Sequence, residues 1–102
     1  MNICILDGHI SGTPEERILP SGDALAVFRV VVPRADGRVD TIDCAASTTR
    51  LRKRALAMAP ETDVHVEGAL RRRFWRTAGG VASRYEVEVS VLRRVAAHDI
   101  EG

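Results

Sequence analysis

The chain has 102 residues and a mass of 11.2 kDa, which is the usual size of one domain and argues against a two-domain enzyme with a cleft between lobes. Hydrophobic residues make up 45% of the chain but aromatic residues only 4%, so the core must be built from aliphatic side chains, and the β-branched ones favour strands. The formal charge of +1 by itself predicts neither a nucleic acid nor a membrane as partner.

The basic residues are unevenly distributed along the chain. Residues 50–76 carry eight basic and three acidic groups, a local charge of +5, whereas residues 1–49 sum to −3 and residues 77–102 to −1. Fourteen of the fifteen basic residues are arginines, whose planar guanidinium groups suit phosphate oxygens and can stack on bases. The placement of charge therefore directs attention to the central segment.

The two cysteines and the N-terminal residues indicate a cellular compartment. Cys4 and Cys44 fit no paired metal-ligand spacing and cannot form the dense disulfide framework of a small secreted domain. The first residues lack the features of a signal peptide, and no apolar run approaches membrane-spanning length. We therefore predict a cytoplasmic protein with reduced thiols and no membrane partner.

Five segments have the β-propensity or the alternation of strands. They are residues 2–10, 24–32, 38–47, 64–76 and 84–91. Turn-forming residues separate them at 11–14, 20–23, 33–37 and 77–80. Gly8 is expected to interrupt the first strand.

One short helix is predicted between the third and fourth strands. The threonines at 48–49 are N-cap candidates, and Leu51, Ala55 and Met58 recur at helical spacing until Pro60. Five strands with a single helix in this place is the order of an all-β, five-stranded Greek-key barrel, the OB fold. The arginines and the tryptophan at the end of the fourth strand fall where this barrel commonly presents a binding surface.

Four segments, in this order and at this spacing, resemble a known family. They are residues 2–10, 20–28, 66–75 and 83–89. Through them the chain resembles the bacterial single-stranded-DNA-binding proteins. The resemblance implies an OB-fold domain over residues 1–95, with residues 96–102 as a short C-terminal extension. It also implies sequence-independent binding of single-stranded DNA, protecting exposed DNA in replication, recombination and repair.

The same resemblance implies an oligomer and a set of contact residues. The expected assembly is a homotetramer, with a dimer as the alternative, in which first strands pair between subunits. Binding without sequence preference needs cations along the phosphate backbone and π-faces for the bases. The family's basic and aromatic positions on the fourth strand fall on Arg71, Arg73 and Trp75. Packing under the Gly79 loop or in a subunit interface is the alternative for Trp75.

Two positions at which the family carries further aromatic side chains hold Thr41 and Ser47. Each lost platform costs about 1–3 kcal/mol per base unless arginine faces take its place. Four arginines are candidates for that compensation: Arg29, Arg34, Arg38 and Arg50. Arg50 lies on the predicted helix, where solvation is the alternative.

Other residues near these positions admit two interpretations. Arg84 is a further DNA-contact candidate, but an ion pair within the sheet to Glu86 or Glu88 is equally consistent with the pattern. Phe74 should face away from Trp75 because neighbouring strand residues point to opposite sides. We interpret Phe74 as a packing residue, and Phe28 and Tyr85 as core residues.

No catalytic site, metal or cofactor is predicted. His9, His65 and His98 show no metal-ligand spacing, and Asp40 and Asp43 should face opposite sides of a strand. A second function class is an adaptor barrel without a tail, similar to primosomal replication protein N, that acts mainly through protein partners. Many family members recruit enzymes through an acidic tip after a linker; the C-terminal residues here do not resemble one, so tail-mediated partners are not expected. A DNA-binding member of the family would be cytoplasmic and associated with the nucleoid.

Overall fold

A computed structural model describes residues 1–96. Residues 97–102 lie outside the described residues. They make up all of the predicted extension at 96–102 except Ala96, and they include His98. The elements are β1 Cys4–Ile18, β2 Ala24–Pro33, β3 Val39–Ala46, α1 Thr49–Leu56, β4 Asp63–Thr77 and β5 Gly80–Arg94.

The five strands form a closed barrel in the order β1-β2-β3-β5-β4. Neighbouring strands are antiparallel except β3 and β5, which run parallel over a short contact. The single helix lies in sequence between β3 and β4. This arrangement confirms the predicted five-stranded OB fold with one short helix.

The long first strand differs from the prediction in two places. Gly8 does not interrupt β1; a Cβ there would lie 2.1 Å from the carbonyl oxygen of Val31, so the glycine permits close approach of two backbones. The predicted turn at 11–14 is also wrong. The register of β1 with β2 shifts between Ser11 and Glu15, and Gly12 has a φ of 75°, so this cluster forms a bulge that bends a continuous strand.

The helix begins as predicted and ends earlier. The hydroxyl of Thr48 accepts a hydrogen bond from the backbone N–H of Leu51 at 3.3 Å, which is an N-cap. The helix ends at Leu56, before Pro60, because the chain must turn to pair with β1: the N–H of Glu61 donates to the carbonyl of Ile10 at 2.8 Å. Within residues 1–96, no helix is both long and apolar enough to cross a bilayer.

The barrel interior is aliphatic, as the composition requires. Its largest fully buried side chains are Ile10, Val30, Val64, Val66, Val87 and Leu92. Phe28 is buried among them, which confirms its predicted core role. Ala55 near the end of α1 and Met58, two residues after it, belong to the same cluster.

The last two strands extend beyond the barrel as a hairpin. Pairing of β4 with β5 continues to Thr77 and Gly80, with Ala78 and Gly79 as the connecting residues. Side chains on both faces of this extension reach solvent. Phe74 is 63% exposed and Tyr85 is 58% exposed, so the predicted packing and core roles of these two residues are wrong.

Candidate nucleic-acid interface

A groove runs between the β1–β2 connection and the β4–β5 hairpin. Its central part, with a volume of about 600 Å³, is lined by Arg17, Leu19, Pro20, Leu25, Val27, Arg73, Phe74, Trp75, Arg76, Arg84 and Glu86. Cavities at either end share some of these residues and add Arg29 and Asp43 at one end and Ser47 and Glu88 at the other. OB folds commonly bind oligonucleotides between these two connections.

Strand register determines which hairpin side chains share one face. Arg71, Arg73 and Trp75 alternate along β4, and the residues paired with the last two are Arg84 and Ala82 on β5. Because paired residues of antiparallel strands project to the same side, these side chains form one surface. We call this surface, with Glu86 and Glu88, the groove face.

Trp75 is the only tryptophan of the chain and is 44% exposed on the groove face. The guanidinium carbon of Arg84 lies 5.9 Å from its ring centroid, within cation–π range. An exposed indole held beside a cation offers a stacking surface next to a charge that can meet a phosphate. A Cβ at Gly79 would meet nothing within 4 Å, so the space around the tip of the hairpin is open.

Carboxylates accompany the arginines of the groove face. Arg71 Nε donates to Glu88 Oε2 at 3.3 Å, and Arg73 Nε donates to Glu86 Oε1. Arg84 Nη2 lies 3.9 Å from the other oxygen of Glu86. Glu86 is only 3% exposed, so two arginines stabilise a buried negative charge. Arg84 therefore forms the ion pair that the sequence left as an alternative to DNA contact.

The four compensating arginines are dispersed. Arg29 lines one end of the groove and donates to Asp43 at 3.1 Å. Arg34 and Arg38 lie in the β2–β3 connection, where Arg34 pairs with Asp36 and Asp40.

Arg50 is exposed in the first turn of α1. The structure thus brings Arg29, Arg73, Trp75 and Arg84 together around the groove, with Arg71 beside them. It does not bring Arg34, Arg38 or Arg50 to the residues that line it.

The positions without aromatic side chains lie near this region. Thr41 is exposed on β3, and Ser47 lines the end of the groove. Leu25 and Val27 provide aliphatic surface in the groove. The apolar part of the groove lining therefore consists of aliphatic side chains together with Phe74 and Trp75.

Sequence reasoning missed several residues that line the groove. The sequence did not point to Arg17, because the first strand was expected to end before the position of the bulge. It did not point to Arg76, because this residue lies next to the turn between β4 and β5. Arg52 lines one end and donates to the carbonyl of Ser47 at 2.8 Å.

The thiols and imidazoles do not form a reactive centre in the described structure. Both cysteines are free, and burial raises the pKa of the Cys44 thiol to about 12, with smaller contributions from the nearby Cys4, Asp43 and Glu86. Such a thiol stays protonated and is a poor nucleophile. Among residues 1–96, no group of three metal-ligating side chains is close enough to hold an ion.

A separate ionic cluster lies on the β1–β4 pair. His65 Nδ1 lies 2.7 Å from Asp7 Oδ1, and its Nε2 lies 2.7 Å from Glu67 Oε2. These two carboxylates, Glu67 foremost, raise the pKa of the imidazole above its usual 6.5, whereas partial burial and Arg93 act in the opposite direction. We call these three residues the His65 cluster.

Comparison with known sequences agrees with the fold. No curated protein matches the chain significantly. The profile of the Single-strand binding protein family matches residues 1–95, which is almost the whole chain. The match includes all five strands, the helix and every residue that lines the groove. This chain belongs to the single-strand binding protein family.

Proposed function

We propose that this protein binds single-stranded DNA without sequence preference through the groove. The observation that carries the proposal is the exposed Trp75, 44% accessible, held beside Arg84 and Arg73 at the edge of the groove. Every base has a π-face, so stacking on an indole does not discriminate between bases. Family membership supports the same ligand class.

We further propose that the protein protects exposed DNA in replication, recombination and repair, in the cytoplasm and at the nucleoid. Binding of this kind requires neither catalysis nor a cofactor, and we assign neither. We propose a homotetramer, with a dimer as the alternative, over the OB-fold domain at 1–95. Residues 4–8 pair with β4 on one side, whereas the pairing of β1 with β2 begins at His9, so part of β1 offers an edge to another copy.

A second candidate function is an adaptor barrel acting through protein partners. The observation that favours it is the neutralisation of the groove face: Arg71, Arg73 and Arg84 each approach Glu86 or Glu88. A phosphate backbone must compete with these carboxylates, which weakens its electrostatic attraction. The small side chains of Thr41 and Ser47 in place of stacking platforms favour the same alternative.

The two candidates differ in the response of Trp75 to DNA. We would titrate its fluorescence with oligothymidylate of about 35 nucleotides, several times the footprint of one OB fold, over a series of salt concentrations. Duplex DNA of the same length is the control ligand. DNA binding predicts quenching by the single strand alone, with an affinity that falls as salt rises.

The contact is tested by substitution. Trp75→Leu should weaken binding of a labelled oligonucleotide by about 1–3 kcal/mol, measured by fluorescence anisotropy. Val39→Ala, at an exposed position on β3 that does not line the groove, is the matched control and should bind normally. If the single strand causes no quenching and no gel-mobility shift at low salt, DNA binding is rejected. The adaptor function is then favoured, and a protein partner should co-purify.

A further inference from the structure

The hairpin has a second exposed face, opposite the groove face. Leu70, Arg72 and Phe74 alternate on β4, and Ser83 and Tyr85 are the partners of Phe74 and Arg72 on β5. These five residues project to the same side. We call this surface the aromatic face, because Phe74 and Tyr85 are two of the four aromatic residues of the chain.

Arg72 holds the two rings in place. Its guanidinium carbon lies 5.1 Å from the centroid of Phe74 and 5.5 Å from that of Tyr85. Its Nε and Nη2 atoms donate to the hydroxyl of Ser83 at 3.2 and 3.0 Å. The guanidinium is thus stacked and oriented, yet both rings remain more than half exposed.

The two faces of the hairpin differ in charge compensation. On the groove face every arginine approaches Glu86 or Glu88. Arg72 takes part in none of the ion pairs formed among residues 1–96, and its hydrogen-bond partner is a neutral hydroxyl. The aromatic face therefore combines exposed rings with a positive charge that a phosphate can reach without displacing a carboxylate.

The two faces meet near the tip of the hairpin. Phe74 and Arg76 also border the groove beside Trp75. The connection is only Ala78 and Gly79, and the space around Gly79 is open. A flexible strand leaving the groove can pass over this tip without meeting another element.

We propose that the aromatic face is a second base-stacking surface for the same single strand, which leaves the groove at Trp75 and continues over Phe74 and Tyr85. Arg72 positions both rings and meets the phosphate backbone. An apolar protein partner fits this face less well, because docking would bury the charge of Arg72 without an acid to pair with it. This inference rests on the proposed function and assigns two stacking positions to the residues that the sequence analysis placed in the interior.

The test compares ring-removing and ring-preserving variants. Phe74→Leu and Tyr85→Leu should each weaken binding of labelled oligothymidylate by about tenfold, within the range of one lost stacking contact. Tyr85→Phe keeps the ring and should bind like the wild type. Val39→Ala, exposed on another strand, reports the effect of an unrelated apolar truncation.

A position-specific measurement accompanies the affinities. Oligothymidylate carrying 5-iodouracil, irradiated in complex with the intact protein, should crosslink to Phe74 or Tyr85 in addition to Trp75, as read by mass spectrometry. In the two leucine variants the Trp75 fluorescence should still be quenched at saturating DNA. Retained quenching shows that the groove is still occupied and that the variants are folded.

The outcomes distinguish a failure of the second stacking surface from a failure of the proposed DNA binding. Normal affinity of both leucine variants, together with weak binding by Trp75→Leu, overturns the second surface and leaves the groove assignment intact. No binding by the wild type overturns both. A change in sedimentation of the DNA-free leucine variants would identify the aromatic face as a contact between protein copies and would also overturn the proposal.

Discussion

At the scale of single residues, the position of each carboxylate on the groove face decides how much of the arginine charge is available to a phosphate. Glu86 is buried beneath Arg73 and Arg84, so its carboxylate is part of the ion pairs that the folded structure contains. Glu88 pairs with Arg71 at a half-exposed position, where salt bridges contribute little to stability. The same pair nevertheless occupies Arg71 with a carboxylate that a phosphate would have to displace, and this makes Glu88 the informative residue to change.

Glu88→Gln should strengthen binding of oligothymidylate. The substitution keeps the shape of the side chain, removes the competing charge and frees Arg71 for a phosphate. One added phosphate contact should steepen the slope of log affinity against log salt by about 0.7, with the free energy of unfolding changed by less than about 0.5 kcal/mol. Anisotropy titrations at several salt concentrations measure the slope.

The control for Glu88→Gln is Glu61→Gln, which removes an acid from the exposed contact with His9. The two substitutions change the net charge of the protein equally. An equal slope in both variants would show that Arg71 does not contact phosphate and that only the overall charge matters.

The His65 cluster gives the protein a pH-dependent contribution to stability. Its carboxylates, Glu67 foremost, favour the protonated imidazole and raise the pKa of His65 in the folded state. A group with a raised folded pKa stabilises fully below its unfolded value of 6.5, and this stabilisation is lost as pH rises through the folded value. The free energy of unfolding contributed by His65 should therefore fall from mildly acidic to alkaline pH.

The comparison with His65→Gln measures that contribution. Urea unfolding from about pH 5 to about pH 9 should show the largest deficit of the variant at the acidic end, and the two curves should converge as His65 loses its proton. Parallel curves over the whole interval would mean that His65 has the same pKa in the folded and the unfolded protein. Histidine NMR titration gives the folded pKa directly.

At the scale of elements, the β4–β5 hairpin depends on a close approach between its strands. A Cβ at Gly68 would lie 2.2 Å from the carbonyl oxygen of Glu88 and 2.9 Å from a methyl carbon of Val87. The first of these atoms belongs to the backbone and cannot move alone. Glycine at this position therefore permits the hairpin to join the barrel where the groove face begins.

Gly68→Ala should destabilise the fold by about 1–3 kcal/mol, the usual cost of overpacking a fixed space. Gly79→Ala is the matched control, because a Cβ there meets open space and should change stability by less than about 0.5 kcal/mol. Chemical denaturation of both variants measures the difference. Equal stabilities would show that the strands separate at no cost, contrary to the packing described.

Much of this element pattern follows from the sequence, and its failures have physical causes. Strand alternation and the Thr48 cap predicted the order of strands and helix, because these are local properties. The bulge at Gly12 looked like a turn, since one glycine serves either purpose and distant pairing with β2 selects between them. Tyr85 lies on the same side of β5 as the core residues Val87 and Val89, so only the extension of the hairpin beyond the barrel, a property of the whole fold, reveals its exposure.

The candidate site, like the fold, could be predicted from the sequence only in part. Arg73, Trp75 and Arg84 share one face because alternation along paired strands is readable from the sequence. The pair of Arg84 with Glu86 lies within one strand and was a sequence-based alternative, whereas the pairs of Arg71 and Arg73 with carboxylates of β5 required the register of β4 and β5. The dispersed Arg34 and Arg50 show that a count of arginines does not define an interface.

At the scale of the whole molecule, a stripe of exposed apolar side chains, interrupted by Glu67, lies on the outer surface of the barrel. Ile5 is 60% exposed, and register places it in line with Glu67 on β4 and Val91 on β5. Ile3, which directly precedes β1, is 63% exposed. Together with the edge offered by residues 4–8, these side chains form a surface that a twofold axis would place against its own copy.

Ile5→Lys should therefore reduce the oligomer to smaller species. A twofold contact places the new cations of both copies in one interface, where burial and like charge oppose association. Light scattering after size exclusion, at several protein concentrations, measures the mass. Val39→Lys adds the same charge at an exposed position on β3 and should leave the assembly unchanged.

The DNA affinity of Ile5→Lys then tests how assembly and binding are connected. If one strand spans several copies, each further barrel binds at a high effective concentration, so dissociation should weaken binding of long oligothymidylate far more than binding of an oligonucleotide that fills one groove. Equal losses for both lengths would mean that the substitution disturbs the groove itself. Unchanged mass would show that the stripe around Ile5 lies outside the contact between copies.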